Sequence, residues 1–210
     1  AVLDRTVVII ISDHGEIFAK HGRFGRAGAE RGTLYDEVVR IPWLMKIPRH
    51  PGKVVSGLVQ IIDIMPSLLG VLEIPEPPQL QGKNVMPLVS GERDEINRYV
   101  FAGSLYGGPV GSRAWRIYPA RSMSESVRSL EWKLIHEMTR NAEGQQEERY
   151  ELYDLTDDPD ELNNLVHEKP LVVATFNGVL ENWKRQAENL EVRNVFNPDV
   201  LPPEIIEGAK

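Results

Sequence analysis

The run Thr6-Val7-Val8-Ile9-Ile10-Ile11 leads without a break into Ser12-Asp13-His14-Gly15-Glu16. The first six residues are β-branched throughout and show no polar alternation, the pattern of a strand buried on both faces in a parallel α/β sheet. The next five place a carboxylate, an imidazole and a glycine at the carboxyl end of that strand, where open α/β sheets bind their ligands. An Asp and a His side by side in such a crevice can bind a metal ion or carry protons. The competing reading is structural: Asp13 caps a turn and His14 lies on the surface.

Outward from this point, residues 18–33 are rich in Gly, Arg and Lys and nearly free of hydrophobic pattern, which predicts an exposed loop suited to an anion. Tyr35 to Val39 reads as a short helix or turn, and Arg40 to Ile47 as a second buried strand. A turn follows at Pro48 to Gly52. Asp63 is an N-cap candidate for a helix over Ile64 to Leu72, with Pro66 tolerated in its first turn and Leu68, Leu69 and Leu72 as its apolar stripe. Ile74 to Pro78 reads as a proline-rich connector and Pro87 to Glu95 as a polar loop.

From Arg98 the texture changes. Tyr99 to Ala102, Ser126 to Arg128, Trp132 to Met138 and Arg149 to Leu155 read as short strands of an antiparallel sheet, with a hairpin loop over Thr139 to Glu148. The acidic run Asp157, Asp158, Asp160 and Glu161 lacks the glycine and terminal glutamate of a calcium loop, so a turn and helix start are expected there. Pro170 to Leu190 is the long helical pattern, with Val173, Phe176, Leu180 and Trp183 on its apolar face. A boundary near residue 97 then divides an α/β part, 1–97, from an α+β part, 98–210.

Composition narrows the function classes. The 210 residues are 41% hydrophobic and 26% charged, which is globular rather than disordered or fibrous. A net charge of −7 gives no footprint for nucleic acid or for an anionic membrane. The densest apolar run, Val7 to Ile11, is far short of the roughly 20 residues that span a bilayer. The sequence contains no Cys, which excludes a disulfide framework, a thiolate zinc site and a cysteine nucleophile within these residues.

Beyond the first pair, the chain carries Lys20-His21-Gly22, Gly32-Thr33-Leu34-Tyr35-Asp36-Glu37 and Arg40-Ile41-Pro42. Further on come Asp63-Ile64-Met65-Pro66-Ser67-Leu68-Leu69, Leu80-Gln81-Gly82-Lys83-Asn84 and the stretch from Val85 to Gly91. Trp132-Lys133-Leu134-Ile135, Glu151-Leu152-Tyr153-Asp154-Leu155, Asp158-Pro159 and Glu161 through Asn164-Leu165 complete the series. In this order the motifs resemble the sulfatase family of the alkaline phosphatase superfamily.

The resemblance implies a fold: the later strands of an alkaline-phosphatase-like mixed sheet with flanking helices, then a small antiparallel sheet packed on a helix. It implies that Asp13 and His14 ligate a divalent cation, usually calcium in the family; the imidazole leaves manganese open. The family's sulfate-holding lysine has no direct counterpart. Counting from Asp13 its position falls on Arg26, and counting back from Tyr35 it falls on Arg31, with Ala27 to Glu30 as an apparent insertion. Either guanidinium can donate two parallel hydrogen bonds to an oxyanion. His21 is a further catalytic candidate, although Lys20-His21-Gly22 can equally just shape the loop. Arg113, Trp115, Tyr118 and Arg121 are candidates for a substrate mouth. His50, His136 and His167 read as structural or exposed.

The family's nucleophile is a formylglycine made from a cysteine or serine ahead of a proline and an arginine, and no such motif occurs in these residues. The paired aspartates that complete the metal site are missing too. The expectation is therefore the C-terminal part of a sulfatase that acts on a sulfated small molecule or carbohydrate, inactive by itself. Phosphonate or phosphate ester hydrolysis and non-catalytic binding of sulfated or acidic sugars are the alternatives.

Overall fold

The computed structural model describes residues 2–25, 33–106, 121–140 and 145–188. Strand β1 (Val8–Ile11) pairs antiparallel with β2 (Trp43–Lys46), with Ile9 opposite Met45. This corrects two expectations. The partner of the Thr6–Ile11 run among the described residues is antiparallel, and the run is not buried on both faces, since Ile10 is 60% exposed and Leu44 58%. A β-branched run reports strand propensity; the neighbour and its direction are fixed by tertiary connections that no local pattern encodes.

Helix α1 (Asp36–Val39) lies between these strands in sequence. Helix α2 (Ile64–Val71) starts where expected, but Asp63 does not cap it through its side chain. The Asp63 carboxylate is fully buried and accepts the N–H of Gln60 at 2.9 Å, the N–H of Lys83 at 2.8 Å and the Asn97 side-chain amide at 2.7 Å. Of the expected leucine stripe, Leu68 and Leu69 are half-buried while Leu72 is 50% exposed. The packed face is instead the small one: Ser67 is buried, donates to Asp63 O at 2.5 Å and accepts the Val85 N–H at 3.0 Å. Pro87–Glu95, expected as loop, contains helix α3 (Met86–Ser90), which ends at Gly91 with φ +80°. Its proline near the start and glycine at the end are the usual asymmetry of a short helix.

Asp63→Asn keeps the size of this side chain but replaces one acceptor oxygen by an amide NH2, a donor facing donors. We expect about 2 kcal/mol of lost stability, because a buried donor is left without a partner. Urea unfolding of the variant checks this.

The second sheet is an antiparallel meander, β3 (Val100–Tyr106), β4 (Arg121–Arg128), β5 (Trp132–Arg140) and β6 (Gln146–Asp154), in that order. All four expected strands are present and longer than read. The hairpin loop shrinks accordingly, because β5 and β6 run into the Thr139–Glu148 segment. The first half of β4 was missed because it is Ser- and Glu-rich; Ser122, Ser124, Glu125 and Ser126 are nevertheless buried. Helix α4 (Pro170–Glu188) begins on proline. The acidic run before it forms turns without a helix start: the Asp158 carboxylate accepts the N–H groups of Leu162 and Asn163 at 3.1 and 2.8 Å.

Period-two alternation gives this sheet two different faces. Val127, Leu134 and Leu152 point toward Phe176 and Leu180 of α4 and form one core. Ile135 and Tyr153, each one residue out of phase, pack with Ile17, Leu34, Tyr35 and Val38 in another. The sheet is thus held between α4 and the segment that follows Asp13-His14. No helix among the described residues is long and apolar enough to cross a membrane.

Candidate functional site

Asp13 and His14 occupy the turn directly after β1, as read from the sequence. The Asp13 side chain is 85% exposed and that of His14 33%. His14 Nδ1 lies 2.7 Å from the carbonyl of Gly15, the next residue, an oxygen that can only accept, so Nδ1 is the donor of this contact and Nε2 is the nitrogen turned toward Asp13. Nε2 is 3.6 Å from Asp13 Oδ2, while Asp13 Oδ1 accepts the His14 N–H at 3.0 Å. An imidazole fixed at one nitrogen by a backbone carbonyl is the usual posture of a metal-ligating histidine. Two ligands each about 2.2 Å from one ion stand roughly 3–4 Å apart, and this pair does. Among the described residues, no group of three or more His, Asp or Glu could hold a metal ion.

The turn is seated on α1. Gly15 N–H donates to Val38 O at 2.7 Å, and a side chain at Gly15 would place its Cβ 2.0 Å from the Glu37 carbonyl oxygen.

The loop after it is pinned rather than free. Lys20 pairs with Asp160 at 2.7 Å and with Glu37. The hydrogen bonds that Lys20 donates to Asp160 and Glu37 hold its ammonium above its ordinary value. Burial works against the Glu37 carboxylate, but Lys20 outweighs it and keeps Glu37 below the usual range. His21 has a left-handed backbone (φ +54°), stacks on Tyr35 with ring centroids 3.7 Å apart, and faces Glu37 Oε2 at 3.4 Å. Its side chain is 7% exposed, so its visible contacts are those of a packed group that shapes the loop.

Arg26 and Arg31, the two anion-holding candidates, lie outside the described residues, as do Arg113, Trp115 and Tyr118. The side chain of Arg121 is also outside them. His136 is buried in β5 and stacks on Tyr150 at 4.3 Å, as a structural histidine, whereas His50 and His167 are exposed.

The polar face of the second sheet supplies what the sequence reading did not single out. Glu151 accepts the hydroxyls of Tyr35 and Tyr153, each at 2.8 Å, and pairs with Arg149 at 2.8 Å. Arg23, Thr33, Tyr35, Ser124, Arg149 and Glu151 lie around a small open pocket there. Lys133, fully buried, bridges Asp36 at 2.9 Å and Glu161 at 2.7 Å. Burial pushes the Glu161 carboxyl up, against the pull of Lys133. A lysine at an inward position between Trp132 and Leu134 was the available signal: a cation there needs carboxylate partners.

Burial and Glu151 push the Tyr35 hydroxyl up to about 12. Its ordinary value is about 10, so the protonated form is favoured by folding. The associated stability is complete below pH 10 and is lost as pH rises through about 12. Melting temperatures measured from pH 9 upward should fall less steeply for Tyr35→Phe than for the unaltered chain.

A family model described as "N-sulphoglucosamine sulphohydrolase, C-terminal" matches residues 27–189. The chain belongs to this sulfatase family, as its C-terminal portion. It is 28% identical over 165 residues to the uncharacterized sulfatase YidJ of Escherichia coli (strain K12), covering 78% of this chain and 28% of YidJ. It is 28% identical to mouse (Mus musculus) arylsulfatase K over 182 residues, 86% of this chain and 30% of that protein. Among solved structures, BT4656 in complex with its substrate D-glucosamine-2-N,6-O-disulfate is similar with a TM-score of 0.67 and 22% identity. That match covers 90% of this chain and 36% of BT4656. The yidJ structure from Bacteroides fragilis gives a TM-score of 0.63 at 22% identity, covering 89% of this chain and 37% of the other. The fold of this sulfatase portion is therefore the alkaline-phosphatase-like one expected. The chain spans about 30% of the length of the curated relatives it matches.

Proposed function

We propose that this chain is the C-terminal part of a sulfatase that hydrolyses a sulfate ester to sulfate and an alcohol, with residues 1–97 belonging to the catalytic domain and 98–210 forming a subdomain. The observation that carries the reading is the His14 ring, fixed through Nδ1 to Gly15 O with Nε2 beside Asp13 Oδ2 at the end of β1. Asp13 and His14 contribute part of a divalent-cation site, for calcium or manganese. The remaining ligands and the formylglycine nucleophile come from sequence outside these residues.

Asp13 and His14 would hold the cation, which would supply Lewis-acid polarisation of a sulfate oxygen when bound. The turn that carries them is seated on α1 through Gly15. Arg26 or Arg31 holds a second sulfate oxygen through paired guanidinium N–H groups. His21 shapes this loop by stacking on Tyr35, leaving the loop arginines to meet the anion. The substrate class follows the relatives, a sulfated small molecule or carbohydrate.

The test is an assay of the enzyme encoded by the complete gene, on aryl sulfate and aryl phosphonate esters in parallel. Faster sulfate turnover that needs added calcium or manganese is expected. Preference for phosphonate would overturn the sulfatase reading, and absence of turnover with retained sugar binding would point to a binding domain. Arg31→Ala and Arg26→Ala separate the two anion candidates: loss of a charge-assisted contact should raise KM for the sulfate ester about tenfold in one and leave the other unchanged.

A further inference from the structure

The buried ion network reaches the candidate metal step by an unbroken chain of contacts. Lys133 Nζ binds Asp36 Oδ1, and Glu161 Oε2 accepts the Asp36 N–H at 2.5 Å. Arg128 Nη2 stands 3.3 Å from Asp36 Oδ2. The first residue of α1 is therefore held from three sides by groups on β4, β5 and the turn after β6. Two residues later, Val38 O accepts the Gly15 N–H, and the same glycine offers its carbonyl to His14 Nδ1. Gly15 rests so closely on the Glu37 carbonyl that α1 cannot shift without moving the Asp13-His14 turn.

We infer that Lys133 and Glu161 are positioning residues for Asp13 and His14, acting through α1. Stability alone is a poor reason to keep them. A buried ion pair can often be replaced by neutral side chains with little loss of stability. Glu161 moreover holds a left-handed backbone (φ +54°), a strain of the kind that persists where geometry is required. The network instead fixes one helical turn against the second sheet, and the helical turn fixes the imidazole.

The inference rests on the reading of Asp13 and His14 as metal ligands, but its first readout does not. Two variants are compared with the unaltered chain: Glu161→Gln, and Lys133→Met combined with Glu161→Gln, which removes one charge of each sign. Amide hydrogen exchange is followed at Gly15, bonded to Val38 O, and at Leu152 on β6, whose N–H donates to Asn164 Oδ1 in the segment after that strand. Exchange at Gly15 should accelerate about tenfold or more while Leu152 stays near its original rate, as local opening requires. Equal acceleration at both amides, or none at Gly15, overturns the proposal.

The second readout uses the complete enzyme. The calcium or manganese concentration for half-maximal aryl sulfate turnover should rise about tenfold or more, with kcat recovered at saturating metal. A metal requirement identical to wild type overturns the inference. Should the unaltered enzyme show no turnover of sulfate esters, the functional reading fails by itself, and the exchange data still decide whether the network holds the turn.

Discussion

Gly15→Ala is expected to be strongly damaging, a backbone collision matched in the first half of the chain by Gly82, whose added Cβ would lie 1.9 Å from Ile62 O. At Gly15 the new Cβ would lie 2.0 Å from the Glu37 carbonyl oxygen and 3.0 Å from its carbonyl carbon, both backbone atoms that no side-chain rotation can move aside. Relief needs α1 to retreat by more than 1 Å, a rough estimate from ordinary contact distances. That retreat breaks the Gly15–Val38 hydrogen bond and disturbs the ion pairs at Asp36. Overpacking usually costs about 1–3 kcal/mol, and a backbone collision of this depth belongs at or above the upper end. Chemical denaturation should show a loss of about 3 kcal/mol or more, and the complete enzyme should lose turnover by about 100-fold with its metal ligands chemically intact. Gly52→Ala, at a glycine with open space around it, is the control and should change neither.

Lys133→Ala should have a comparable effect on stability through electrostatics. The side chain is wholly buried and so is Glu161, so removing the cation takes away the ion-pair partner of Glu161 beside an Asp36 that keeps only Arg128. Breaking a buried pair in this way costs about 3–5 kcal/mol, far above the roughly 0–1 kcal/mol of a surface pair. Arg149→Ala provides the contrast: its partner Glu151 is also held by two tyrosine hydroxyls, and the Arg149 side chain is 54% exposed. Its loss should therefore be small. Urea midpoints of the two variants, measured side by side, test this ordering; a Lys133→Ala loss no larger than that of Arg149→Ala would show that the buried network adds little.

Much of the architecture was legible from short patterns. The second sheet announced itself through Trp132–Met138 and Arg149–Leu155, where alternating residues serve two cores, and α4 through the spacing of Val173, Phe176, Leu180 and Trp183. The direction of β1 and β2 was not legible, because a β-branched run is silent about its neighbour. The first half of β4 hid behind serines whose burial depends on cross-strand residues 13 or more positions away, Glu137 opposite Ser124 and Thr139 opposite Ser122. The position of Asp13 and His14 in the turn after β1 was legible from the strand that precedes them. Lys133, Asp36 and Glu161 were each visible as motif letters, but their meeting is a tertiary event: a segment read as a turn and helix start supplies the carboxylate that a strand lysine needs.

The meander of β3 to β6 also bears on the order in which the chain folds. The turn joining β4 to β5 closes over three residues, with Ser129 N–H donating to Trp132 O at 2.8 Å and Ser129 Oγ accepting the Trp132 N–H at 2.9 Å. Contacts so near in sequence lose little chain entropy and form early, whereas the Asp36–Lys133 contact joins residues 97 apart and must wait. Substitutions in the β4–β5 hairpin should therefore slow refolding, and those in α1 should mainly hasten unfolding. The turn that carries Asp13 and His14 is then among the last parts to reach its final geometry, on a platform the sheet has already built.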